Sequence, residues 1–272
     1  MKRGARLSDE LVGVILLAAL AIFVLGPLVG VLIWAFAEVW RPPAALPTAW
    51  GFKYWNLLLA RADVQKALPT SLGISTMVTL LSAIVCWPAA YAFARIQFPG
   101  RRWLLLSFIA VNAFPRFPLY VSIAVVFLSL GLVGTYVAVV LVQLVFTLLF
   151  MIWIPAAAFR GVDPRMEEAA RDVGASHLTV LLRITLPQAA PALGAALLLT
   201  FVNTFYDVDG ALLVGIPNVQ TLPIIMLSLI SHQIIVQYGA VLSVMLWVPS
   251  LVVLIFARRL FESRSFAAGF GG

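Results

Sequence analysis

Glu168-Ala169-Ala170-x3-Gly174-x9-Ile184-x-Leu186-Pro187 lies in a polar segment between two long apolar runs. Asp163 is placed to cap a helix whose first residue is Pro164, and Glu167 and Glu168 follow in early turns, where the helix dipole favours negative charge. Met166, Ala169, Ala170 and Val173 fall at i, i+3, i+4 and i+7, giving one apolar face on a helix of about ten residues. A bilayer span needs about twenty. Gly174 offers a left-handed stop, and Ser176 a cap for a second short helix, expected to end near Leu186-Pro187. The segment therefore reads as a helix-turn-helix at the membrane surface with an unpartnered greasy face.

The surrounding chain is membrane-born. Of 272 residues, 63% are hydrophobic and 11% charged, a composition that excludes a soluble domain. Six stretches are apolar and long enough to span: roughly 11–36, 67–93, 103–130, 136–158, 191–214 and 238–257. The fold class expected is all-α, a polytopic membrane protein of one domain over residues 1–272. Lys2, Arg3 and Arg6 precede the first stretch, and Arg95, Arg101 and Arg102 follow the second. Arg160, Arg165, Arg171 and Arg183 lie around the polar segment, and Arg258, Arg259 and Arg264 follow the sixth stretch. These thirteen share one face, against Arg41, Lys53, Arg61 and Lys66 on the other, so both termini and the polar segment are expected in the cytoplasm. The net charge of +7 is then a matter of topology, and nucleic acid is not an expected partner. The first stretch is too long for a cleaved signal peptide, and no small-residue cleavage site follows before Trp34. The outward loop from Glu38 to Lys66, with Trp40, Trp50, Phe52, Tyr54 and Trp55, reads as an interfacial aromatic belt in contact with lipid, and secondarily as a landing surface for a soluble protein.

Enzymes fare badly on this inventory. The three lysines follow no phosphate-cradling glycine loop, so a nucleotide-driven engine would have to be another chain. His177 and His232 are expected on opposite membrane faces, and with Cys86 alone no metal cluster assembles. Tyr206-Asp207 resembles half of an intramembrane aspartyl protease, but Asp209 is expected on another face of the same helix and Gly210 follows it, so the two carboxylates do not face each other.

An ionisable group within a span costs about 2.5–3.5 kcal/mol on insertion, so each needs a reason. Thr200, Asn203, Thr204 and Asp207 recur at i, i+3, i+4 and i+7, and Asn112, Arg116 and Tyr120 form a second polar stripe. Pro115 and Pro118 bracket the arginine and interrupt the backbone ladder, as in transporters that set their solute beside a broken helix. These seven residues are the candidate substrate pathway. Direct pairing of Arg116 with Asp207, merely holding the bundle, is the competing reading.

The spacing from Glu168 to Pro187 resembles, at every defining position, the cytoplasmic signature of membrane (permease) subunits of binding-protein-dependent ABC importers. That resemblance implies that Met166, Glu167, Glu168, Ala169, Ala170, Gly174, Ile184, Leu186 and Pro187 form the coupling region, whose first helix sits in a cleft of a separate ATPase. It implies as partners an ATP-binding subunit dimer, a second homologous permease (a heterodimer) and an extracytoplasmic solute-binding protein. It implies no cofactor in this chain, since ATP and Mg are bound by the partner ATPase. The resemblance is best over about 67–258. Ala90-Tyr91-Ala92-Phe93-Ala94-Arg95, Phe98-Pro99-Gly100-Arg101-Arg102, Pro118-Leu119-Tyr120, 131–136 and Ala267-Ala268-Gly269 are similar to the maltose-type carbohydrate branch. Asp172-Val173-Gly174 instead follows the polyamine-type pattern, and Tyr206-Asp207 replaces that branch's aromatic-Asn-acid motif. A sugar, a polyol or one of their phosphates is the expected solute, with a polyamine or other small cation as the alternative. A secondary transporter would need no ATPase-docking loop and usually has two related halves.

Overall fold

The computed structural model describes residues 2–41, 43–232 and 235–262. Arg264 and Ala267-Ala268-Gly269, named in the sequence analysis, lie outside the described residues. The chain divides into two compact units, one made of Met1–Val64 with Met226–Trp247 and one of Gln65–Ile225 with Val248–Gly272.

In the first unit, α1 (Lys2–Phe36) leads into a two-stranded hairpin, β1 (Ala37–Val39) and β2 (Ala49–Trp50), and then α2 (Lys53–Leu59). The aromatic loop residues pack on one another. Trp34 stacks on Trp40 at 4.2 Å, Phe36 meets Phe52 and Trp55, and the Trp55 indole N–H donates to Ala35 O at 2.9 Å. The half-buried Trp40 and Trp55 indoles each place their single donor on a backbone carbonyl, Trp40 on Ala44 O at 2.9 Å.

The second unit holds most of α3 (Ala62–Arg95), then α4 (Arg101–Ala113), α5 (Arg116–Ser129), α6 (Tyr136–Gly161), α7 (Pro164–Asp172) and α8 (His177–Val180). A π-helical turn (Leu181–Thr185) follows, then α9 (Leu186–Phe205) and α10 (Asp209–Val214); α11 (Leu222–His232) and α12 (Val236–Glu262) pass between the units along the chain. Helix α6 is central, burying Val139, Val142, Met151, Ala156 and Phe159. Its partner α9 turns Leu193 inward together with Ala189, Gly194 and Ala196, small residues that let two backbones approach closely.

Five helices among the described residues are long and apolar enough to cross a membrane: Val12–Phe36, Ala62–Arg95, Tyr136–Gly161, His177–Phe205 and Val236–Phe256. Three expectations are corrected. The third apolar stretch is two helices, α4 and α5, because Phe114 ahead of Pro115 is extended, the region a residue before proline prefers. The fifth does not run to Val214: α9 stops at Phe205 and α10 begins at Asp209. The helix capped by Ser176 does not end at Leu186-Pro187 but continues into α9. There the Leu186 N–H bonds Leu181 O, five residues back. The π turn resets the ladder immediately before Pro187, whose missing N–H therefore breaks nothing.

Candidate functional site

Two helix breaks face one another in the second unit. At the first, Pro115 hands over to α5, which begins with Arg116 and carries Tyr120 one turn later, fully buried. At the second, Asp207 falls in the gap between α9 and α10, so it does not share a helical stripe with Thr200, and Asp209 opens α10, so the two carboxylates are not on one helix.

The Asp207 carboxylate fills the gap. Oδ1 accepts from the Tyr120 hydroxyl at 2.9 Å, and Oδ2 accepts from Gln143 Nε2 at 3.2 Å and from the Gly210 N–H at 3.0 Å. One side chain thereby ties α5, α6 and the first turn of α10. Only glycine fits at position 210, since a Cβ there would lie 2.7 Å from Asp207 Oδ2 and 3.2 Å from the Tyr120 ring. Arg116 makes no ion pair with Asp207 among the described residues. Its Nη1 donates to Asn203 Oδ1 at 3.3 Å, and its guanidinium lies 5.7 Å from the centre of the Phe146 ring, which also packs against Tyr120 at 4.5 Å. Each charge has neutral partners instead.

The other stripe members separate. Thr204 bonds back to Thr200 O and Phe201 O, and the buried Thr200 hydroxyl has no hydrogen-bond partner among the described residues. Asn112 bonds Phe108 O within α4. Tyr120, Gln143, Phe146, Asn203, Thr204 and Asp207 line a pocket with room for about one water.

The polar segment builds as its sequence suggests, with one addition. Asp163 Oδ1 accepts from the Arg165 N–H at 2.9 Å, Pro164 opens α7, and Ser176 Oγ accepts from the Thr179 N–H at 3.2 Å. Gly174 adopts φ +89°, and the Ala175 N–H reaches Ala170 O at 3.0 Å, a left-handed helix stop. Met166, Glu168, Ala169 and Val173 are exposed, Val173 at 86%, while Ala170, Ile184 and Leu186 are half-buried and Pro187 is exposed. Glu167 turns the other way and is buried. Its Oε1 accepts from Arg95 Nη2 at 2.8 Å and from Thr185 Oγ1 at 2.7 Å, and the same Arg95 nitrogen donates to Val162 O at 2.9 Å.

Gln143, Gly210, Arg95 and Thr185 are not among the site residues expected from sequence. Gln143 had a signal, as the one amide within the apolar run of α6. Arg95 reads in sequence as a topological charge and the end of a family-like stretch, and its partner lies 72 residues away.

The family model described as "Binding-protein-dependent transport system inner membrane component" matches residues 84–265. The chain is 28% identical over 220 residues to the spermidine/putrescine transport system permease protein PotC of Shigella flexneri, covering 81% of this chain and 82% of that protein. It is 27% identical over 239 residues to the trehalose transport system permease protein SugB of Mycobacterium tuberculosis, covering 84% and 87%. Among solved structures, a chain of a bacterial ABC transporter involved in import of the acidic polysaccharide alginate superposes with TM-score 0.73 at 19% identity, covering 96% of this chain and 98% of that one.

Proposed function

For a chain that belongs to the binding-protein-dependent transport system inner membrane component family, and is thus a multi-pass membrane permease subunit of an ABC importer and not an enzyme, we propose a carbohydrate-class solute. That class is a sugar, a polyol or one of their phosphates. The observation that carries it is Asp207. Its carboxylate is already engaged by Tyr120, Gln143 and Gly210 and is held inside the fold, whereas an ammonium solute needs acceptors free to receive it. Asn203, exposed beside Arg116, offers the neutral hydrogen bonding that hydroxyls use. The similarity to SugB agrees with this reading, and the similarity to PotC favours a polyamine as the second one. The pocket has room for about one water, so the solute's cavity is completed by a second permease.

On this reading α7 is the coupling helix. Its exposed Met166, Glu168, Ala169 and Val173 enter a cleft of an ATPase dimer in the cytoplasm, and an extracytoplasmic binding protein delivers the solute. Both termini lie in the cytoplasm with α7. ATP and Mg stay with the ATPase.

The test is affinity purification of this chain, expressed with its ATPase and second permease, followed by uptake into proteoliposomes that contain its binding protein. Copurification of the ATPase and ATP-dependent uptake of trehalose, glycerol or glycerol 3-phosphate are expected. Uptake of spermidine with none of these would replace the carbohydrate reading by the polyamine one. Purification without any ATPase would sink the docking assignment.

A further inference from the structure

Two adjacent glutamates on α7 have opposite settings: Glu168 is exposed, and Glu167 is buried against two other elements. We propose that Glu167, Arg95 and Thr185 form the mechanical joint that carries displacement of α7 into α3 and α9, an inference that rests on reading α7 as the ATPase-docking helix.

Position is the first argument. Arg95 is the last residue of α3, and Thr185 is the last residue of the π turn that feeds α9. Both donate to the same oxygen of Glu167, at 2.8 and 2.7 Å. Val162, which receives the other bond from Arg95 Nη2, is the C-terminal cap residue of α6. Glu167 Oε1 thus ties nine-residue α7 to the end of α3 and to the turn that feeds α9, and Arg95 Nη2 extends the link to the end of α6.

Stiffness is the second. The Arg95 and Glu167 side chains are only 15% and 8% exposed, so their attraction is weakly screened and rises steeply as they approach. The rest of α7 grips the fold less firmly, because Glu168 and Ala169 are exposed and Met166 adds only a weak 3.5 Å contact from Gln188 Nε2 to its sulfur. A push on α7 therefore either drags Arg95 and Thr185 along or leaves a buried charge unpaired, and the second outcome is strongly unfavourable. An apolar contact could hold α7 down equally well, but it would slide. A short, charge-assisted bond fixes direction as well as distance.

Glu167, Arg95 and Thr185 are accordingly positioning residues, and their test must separate transmission from simple fastening. The complete complex is used, in a Cys86→Ala background with Asn203→Cys as reporter. An impermeant maleimide is added with and without ATP and vanadate. The parent should hydrolyse ATP and change its labelling rate on vanadate trapping. Glu167→Gln and Thr185→Val should still bind the ATPase and hydrolyse ATP, while the nucleotide-driven change in labelling shrinks by about two- to thirtyfold. Assembled variants with the full labelling change would overturn the joint alone. If Glu167→Gln does not assemble, the exchanged pair Arg95→Glu with Glu167→Arg decides. Recovery of both assembly and labelling change supports the joint, and anything less overturns it. A parent chain that binds no ATPase would overturn the docking reading and the joint with it.

Discussion

Asp207 shows how much one side chain does where two helices stop. Its three donors come from Tyr120, Gln143 and the backbone of Gly210. Asp207→Ala orphans all three in a buried setting, at about 1–3 kcal/mol for each group left unsatisfied. We expect a lower midpoint in thermal unfolding of the purified complex, with yield falling in parallel. Tyr120→Phe, which removes one donor and keeps the ring against Phe146, should show a smaller loss. Arg116→Gln should leave the midpoint near that of the parent but reduce uptake, because the half-buried guanidinium has only Asn203 and the Phe146 face to lose. A large fall in stability on Arg116→Gln, with none on Asp207→Ala, would reverse the roles assigned here. Asp207, Arg116, Tyr120 and Asn203 were legible in sequence, since polar atoms are conspicuous in an apolar run. Their pairing was not. Helical spacing from Thr200 assumes an unbroken helix, and no proline or glycine between Phe205 and Asp209 announces that it ends.

At the level of elements, the prolines carried unequal information. Pro115 ends a helix because Phe114 is driven into extended backbone; the paired prolines announce an interruption, but the apolar run around them reads as one span. Pro187 resembled a stop and is none, because the π turn before it absorbs the interruption. A π turn holds one residue more than the α-helical turn it replaces, whereas each α-helical residue advances the side chain by roughly 100°. Deleting Leu182, half-exposed within that turn, should restore a regular helix and leave α9 facing as before. Deleting Leu198 should instead swing the end of α9 by roughly 100°, carrying Asn203 away from Arg116. Complex yield and uptake of the two deletions give the comparison. Retention by the first and loss by the second is expected, and equal damage from both would show that the π turn is not a spare residue.

For the whole molecule, the bias of the basic residues predicts an orientation that labelling can check. In a Cys86→Ala background, cysteines at Ser8 and Ser176 should react with an impermeant maleimide only from the cytoplasmic side, and one at Ala62 only from outside. Outside reaction at position 176 would place α7 where no ATPase reaches it. The first helix stands apart from this economy of contacts. Its C-terminal end is gripped by the Trp34–Trp40 stack and the Trp55 bond to Ala35, yet Val14, Ile15, Leu17, Ile22 and Phe23 are all exposed, Phe23 at 79%. Lipid tails solvate such side chains as well as protein does, so nothing in the chain's own packing distinguishes one apolar order of these residues from another. Their information content is that of a composition: residues 14–23 could be shuffled among themselves with the chain's own fold none the wiser, whereas a single methyl group added at Gly210 collides.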